Sequence, residues 1–349
     1  MISFRATFRR LLPGLIVFIA LLGLVFIIID WQQIRTAILQ ASWQLIPYAL
    51  AATALSYLCI SLSFAWVSKL LGVKMTLRDL TLVGFTSTVL NHVVSSGGAA
   101  GYSVRFALMH RHGVAMRDVL AVSFFHFYLT SLVMIAMLPV GLLYLVQHVA
   151  LQPGTAALLA VLAGVVILAT LLLTLVLFSL RLRQYLIRGF IRLVRRFTKR
   201  DLEPSLMRLD ETLAQGVSAM RQQPISILIV LTLVIIDWSA SAATLWLSFR
   251  SLGIALMLGQ VITGFVIGIV AGVASMIPGG LGVQEGSMAG IFALLGVSFD
   301  RAVLASVLFR VIYFFVPYLI SLTLYRGLLR QASEVIPEVL EVEHANPDA

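Results

Sequence analysis

Apolar residues in this chain neither alternate at period 2 nor stripe one face of a helix; they run on without interruption. Stretches free of charge cover 11–29, 45–67, 80–96, 119–146, 155–180 and 255–277, while 225–249 is broken only by Asp237 and 302–325 only by Arg310. Most reach the roughly 18–20 residues that a helix needs to cross the hydrocarbon of a bilayer. The pattern predicts an all-α polytopic membrane protein and leaves no stretch for a separate soluble domain. The first run follows Arg5, Arg9 and Arg10 and so has the outline of a signal peptide, but it is 19 residues long and no small-x-small cleavage site follows it. A retained first helix is the expectation.

Two stretches do not fit a single span. Residues 80–109 are too long for one crossing and are interrupted by Ser95-Ser-Gly-Gly-Ala-Ala-Gly101. Pro278-Gly-Gly-Leu-Gly282 interrupts the chain in the same way further on. Both read as broken or re-entrant hairpins. With those hairpins returning to the side they start from, nearly all of the 25 Lys and Arg residues fall on one side of the membrane. The exceptions are Arg35, Arg250 and Arg301 on the other side and Arg310 within a span. The excess of basic residues on cytoplasmic loops then places both termini in the cytoplasm of a cell with this protein in its inner, cytoplasmic membrane.

The halves of the chain echo each other. Leu71-Gly-Val73, Gly84-Phe85, Gly97-Gly98, Gly113-Val114 and Val119-Leu-Ala121 recur as Leu252-Gly-Ile254, Gly264-Phe265, Gly279-Gly280, Gly296-Val297 and Val303-Leu-Ala305, at offsets of 181, 180, 182, 183 and 184. Within a single transmembrane domain, 1–330, this defines one repeat at about 45–146 and a second at about 225–326, joined through a basic cytoplasmic connector, 181–224. A polar, acidic tail, 331–349, follows. The charge argument has the first repeat entering the membrane from outside and the second from inside. Inverted repeats with broken helices at the midplane are a recurrent architecture of secondary transporters.

Composition narrows the function classes. With 60% hydrophobic and 11% charged residues and a mean hydropathy of +1.02, the chain is no soluble domain. The net charge of +10 lies between apolar runs, where its role is topological, so no nucleic-acid partner is implied. A lone Cys59 excludes an intramolecular disulfide, and six histidines without H-E-x-x-H spacing give no metal site and no cofactor. The stretch 181–200 alternates arginines with Leu182, Leu186, Ile187, Phe190, Ile191 and Val194, the composition of a helix lying on an anionic leaflet or of a topology signal alone.

Ionisable residues at membrane depth are the strongest site signal, since each costs roughly 2.5–3.5 kcal/mol at a helix centre. Asp237, Glu285, Arg310 and, at a shallower position, Arg105 stand out. Glu285 and Arg310 can form a neutral pair, or Arg310 and Arg105 can hold a lipid phosphate. His126 corresponds to Arg310 at an offset of 184, and His92 follows Asn91 beside the first break; each is either a site residue or a hydrogen-bonded core histidine. Gly97, Gly98, Gly279, Gly280 and Gly282 either free backbone N–H groups for an anionic head group or permit tight helix packing; Pro278 beside its glycine pair argues for a real break.

The segment Ile277-Pro-Gly-Gly-Leu-Gly-Val-Gln-Glu285, followed by Arg310-Val-Ile-Tyr-Phe-Phe-Val-Pro317, resembles the flippase-like family named for the transmembrane region of lysylphosphatidylglycerol synthases. Gly97-Gly-Ala-Ala-Gly101 with Arg105 and Gly113 is similar to that family's other glycine-rich segment. The resemblance covers about 10–330. It implies a membrane domain that moves a phospholipid or isoprenoid-linked amphiphile between leaflets, with Tyr313 of the second motif included among the residues at the lipid. It does not imply synthase activity, which in bifunctional members belongs to a separate soluble domain. The expected partner is therefore an anionic or zwitterionic membrane lipid, or a polyprenyl-linked one. The alternative is a non-transporting, lipid-binding accessory subunit of a membrane lipid or envelope synthase. An intramembrane enzyme is disfavoured, because the sequence offers no nucleophile–base constellation.

Overall fold

The computed structural model describes Gly23 and residues 31–94, 99–197 and 203–322. The first apolar run apart from Gly23, the first break with Gly97 and Gly98, and the acidic tail lie outside the described residues. Within them the chain is helical throughout and contains no strand. The helices are α1 (Trp31–Gln40), α2 (Ile46–Leu70), α3 (Leu77–Val94), α4 (Ala99–His110), α5 (Met116–His148), α6 (Pro153–Phe178), α7 (Leu180–Phe197), α8 (Glu203–Gln222), α9 (Pro224–Ser251), α10 (Leu258–Ala274), α11 (Val283–Leu294) and α12 (Phe299–Arg310). The last continues through a π-helical turn, Val311–Phe315, as one span to Leu322.

Among the described residues, five helices are long and apolar enough to cross a membrane: α2 with its preceding turn, α5, α6, α9 and α12 with its extension. The other four apolar helices are not. At 1.5 Å per residue, the 18 residues of α3 and the 17 of α10 reach only about 25–27 Å, and the 12 residues each of α4 and α11 about 18 Å, against a hydrocarbon thickness of about 30 Å. The hairpins expected at 80–109 and around 278–282 correspond to two pairs of shorter helices, α3–α4 and α10–α11.

The two matched stretches share their local chemistry as well as their order. α2 and α9 both start on a proline in the first turn, where its missing N–H is no loss. Both stop at a glycine with positive φ, Gly72 at 81° and Gly253 at 73°, after which Val73 and Ile254 donate back to the carbonyls of Ser68 and Phe249, each at 3.0 Å. The turns into α5 and α12 repeat this at Gly113 and Gly296, where Val114 and Val297 donate to Met109 and Phe292.

At the centre of the bundle α2 lies antiparallel against α9. The Ser42 N–H donates to the Ser251 carbonyl at 2.7 Å, the hydroxyls of Thr53 and Thr244 are 3.2 Å apart, and those of Ser56 and Ser241 are 3.1 Å apart. One hydrophobic cluster, with Phe64, Leu108, Val119, Phe125 and Val230, lies at the end of the bundle where α2 and α4 finish and α5 and α9 begin. A second, with Leu245, Phe249, Phe265, Phe292 and Val303, lies at the opposite end, and a smaller third holds Leu138, Leu142, Ala163 and Val266. The hairpin α10–α11 closes by close approach: Gly264, Gly268 and Gly272 recur at helical spacing against Phe292, Met288 and Gln284. A Cβ at Gly264 or Gly268 would lie 2.3 or 2.2 Å from the facing side chain.

The basic connector is docked. Arg183 of α7 is buried in an ion pair with Asp210 of α8 and donates to the Leu177 carbonyl at 2.8 Å, while Arg221 donates to the Phe178 carbonyl at 2.8 Å. Both carbonyls belong to the last turn of α6, where backbone acceptors have no intrahelical donor. Val217 and Met220 bury themselves in the first cluster, and Gly216 admits the edge of Phe125.

Candidate functional site

The second break is held in a backbone conformation that glycine permits. Gly279 and Gly280 both have φ of 62° and Gly282 has 77°, the left-handed region that costs other L-residues about 1–2 kcal/mol. At Gly280 a side chain would also come 3.0 Å from the Cα of Gly272, a contact tight enough to push the turn away from α10. Of the two readings open for these glycines, close packing accounts for Gly280 and conformational freedom for all three. The turn is not an array of free donors: Gly280 N–H donates to the Ile277 carbonyl at 2.8 Å and Gly282 N–H to Glu285 Oε2 at 2.8 Å. The latter bond caps α11, with a carboxylate at the end of the helix that favours negative charge.

Arg310 closes the break from α12. Its Nε is ion-paired to Glu285 Oε1, Nη1 donates to the Gly279 carbonyl at 2.7 Å, and Nη2 donates to Gln284 Oε1 at 2.8 Å. The guanidinium lies 4.9 Å from the centre of the Phe314 ring, and both charged side chains are almost wholly buried. The pair considered from sequence is therefore formed, and Arg310 ties the Gly279 carbonyl and Gln284 to α12.

Immediately after Arg310 the helix widens into the π turn. Pro317 explains it: the ring crowds the carbonyl four residues back, that of Tyr313, and supplies no N–H to it. The orphaned Tyr313 carbonyl instead accepts from the hydroxyl of Tyr57 on α2 at 3.0 Å, and the same hydroxyl lies 3.0 Å from Nδ1 of His92 at the end of α3. His92 packs edge-on against Phe314, with ring centres 5.2 Å apart. On its other side Tyr313 reaches the α2–α9 interface, where its hydroxyl is 2.8 Å from Ser56 and 2.7 Å from Ser241, and Ser56 in turn contacts the carboxyl of Asp237. α3, which ends beside the first break, packs against both the Pro278–Gly280 turn and the π turn, so the two breaks converge on it.

Arg105 is placed differently. It extends from α4 across the face of Phe64, 4.4 Å from the ring centre, and its Nε donates to Ser87 of α3 at 3.0 Å. It is 9% exposed, and among the described residues no carboxylate pairs with it. His126 lies near it, with Nε2 2.9 Å from Ser63 and its ring edge-on to Phe64. This serine–histidine contact has no orienting carboxylate among the described residues, and Ser63 is fully buried.

Residues 11–321 match the family described as the lysylphosphatidylglycerol synthase TM region. The chain belongs to that family. Among its relatives are a UPF0104 membrane protein of Methanothermobacter thermautotrophicus, 31% identical over 85 residues that make up 24% of each chain. A phosphatidylglycerol lysyltransferase of Staphylococcus haemolyticus is 36% identical over 88 residues, 25% of this chain and 10% of that protein. The corresponding protein of Staphylococcus epidermidis is 34% identical over 89 residues, 26% and 11%. The aligned stretches thus cover less than a third of these relatives.

Membership of the lysylphosphatidylglycerol synthase TM region family makes the chain a multi-pass membrane protein of lipid-related class. Sequence reasoning missed Gln284, Tyr57, Ser56, Ser241, Ser87 and Phe64 as members of the site. Only Gln284, between the glycine turn and Glu285, carried a local signal, being polar in an apolar context beside a break.

Proposed function

We infer that the protein moves an anionic phospholipid or polyprenyl-linked phosphate between the leaflets of the cytoplasmic membrane, with no catalytic step of its own. The observation that carries this reading is the inequality of the two buried arginines. Arg310 is neutralised by Glu285 and consumed by the second break. Arg105, beside the first break, is a desolvated guanidinium with no carboxylate partner among the described residues, and a charge in that condition calls for a counter-ion. A lipid phosphate, accepting from Arg105 next to the 95–98 break, meets that need. Arg105 is assigned to the phosphate and the Glu285–Arg310 pair to the fixed frame, which narrows the role first open to Arg310.

The two stretches 45–146 and 225–326 are read as inverted repeats that rock about the α2–α9 crossing. Their matched glycine caps and the antiparallel course of α2 and α9 support this. So does the contact of Ser56 with Asp237, which are 181 residues apart, the offset that relates Leu71 to Leu252. The phosphatidylglycerol lysyltransferases among the relatives favour a phosphatidylglycerol-like head group. Purified protein in liposomes should raise the transbilayer rate of fluorescent phosphatidylglycerol above that of protein-free vesicles. Binding of that lipid without movement would instead support an accessory, lipid-presenting subunit. The sidedness has its own check: reporter fusions after Arg200 should read cytoplasmic and those at Gln152 and Ser251 external. A cytoplasmic signal at Ser251 would remove the inversion.

A further inference from the structure

Asp237 takes no part in the phosphate site, yet it lies 6% exposed in the middle of a membrane helix, and among the described residues no cation pairs with it. A bare carboxylate there is costly unless it is paired or neutralised. Its surroundings permit a count of protons. The hydroxyls of Ser56, Ser241 and Tyr313 form a triangle with sides of 3.1, 2.8 and 2.7 Å. Two more oxygen–oxygen contacts attach to it: Ser56 Oγ to Asp237 Oδ1 at 2.5 Å, and Ser241 Oγ to the Asp237 carbonyl at 2.9 Å. Five contacts share three hydroxyl protons, since each hydroxyl has one to give. An ionised Asp237 leaves two of the five without a proton; a protonated Asp237 donates the fourth to Ser56.

We propose that Asp237 is a proton-binding site at the crossing of α2 and α9, and that its loading and release couple lipid movement to the proton gradient. The second half of this proposal rests on the lipid-moving function inferred above. The titratable groups facing Asp237 are Tyr57 and Cys59 of α2 and Tyr313 of α12, with His92 of α3 one hydrogen bond further along through Tyr57. None is a fixed cation. Binding adds one proton to the carboxylate oxygen and leaves one of the five contacts, rather than two, without a proton. Release leaves a charge between α2, α9 and α12 that favours water and parts them. The signal reaches both breaks, because Tyr313 is three residues past the Arg310 clamp and its carbonyl is tied through Tyr57 to His92 at the end of α3. A site where Ser56 meets its own counterpart in the second repeat is also equally placed toward either face of the membrane.

Two measurements decide this. Infrared difference spectra of the purified protein, titrated with acid and base, should contain the carbonyl stretch of a protonated carboxylic acid at neutral pH. Asp237→Asn should remove that band and Asp237→Glu should retain one. Its persistence in a folded Asp237→Asn protein, or its absence from the wild type, overturns the proton site whether or not any lipid moves. In liposomes with fluorescent phosphatidylglycerol, a difference of one pH unit should skew the probe between leaflets by up to about tenfold, the limit for one proton per lipid. Asp237→Glu should keep the skew and Asp237→Asn should lose it. Lipid movement indifferent to the gradient would refute the coupling and leave the lipid-moving reading standing; an infrared band assigned to Asp237 without any lipid movement would support the proton site and sink that reading.

Discussion

Arg310→Ala should lower the thermal stability and folded yield of the detergent-purified protein by about 3–5 kcal/mol, the cost of leaving one member of a buried ion pair without the other. Glu285 would remain buried with no cation, and the Gly279 carbonyl and Gln284 would each lose a donor within the same turn. Glu285→Leu combined with Arg310→Met should recover much of that loss, because replacing both charges with apolar groups of similar volume is often neutral. Recovery should stay incomplete, since the Gly279 carbonyl still lacks its partner. Thermal unfolding of the single and double variants is the measurement. A single variant that melts with the wild type would show that the second break is held by packing of α10 on α11 alone.

The opposite balance is expected at Arg105. Arg105→Ala leaves no unpaired carboxylate behind among the described residues, so the fold should be largely retained. Binding of phosphatidylglycerol should weaken about ten- to a hundredfold, in keeping with the roughly 1.5–3 kcal/mol carried by a hydrogen bond to a charged group. Arg105→Lys should fall between, because an ammonium keeps the charge but gives up the planar stacking on Phe64 and the fork that meets phosphate in two places. Lipid binding and melting temperature measured on the same preparations separate the effects. Unchanged lipid binding in Arg105→Ala would take the phosphate away from the first break. The two arginines, indistinguishable in kind along the chain, are thus expected to fail in different assays.

The apolar runs by themselves determined the helical class, the five described spans and the two hairpins, because hydrocarbon forces each spanning segment to satisfy its own backbone and so to declare its length in sequence. The glycine pattern likewise located the second break, since positive φ is a local demand that only a few residue types meet. The family was legible in Pro278 to Glu285 and Arg310 to Pro317 for the same reason. What only the tertiary structure decided are the partners. Arg183 reads as one more topological charge until α8 brings Asp210 to it. Tyr57 is an ordinary aromatic of an apolar helix until Pro317 strips the Tyr313 carbonyl of its donor and the fold delivers the hydroxyl across 256 residues. Ser56 and Asp237 stand at the repeat offset of 181, but nothing in either stretch says that the two touch. Polar groups inside a membrane protein must be satisfied, but which distant residue satisfies them is set by how the helices cross, and that is information no single stretch of sequence contains.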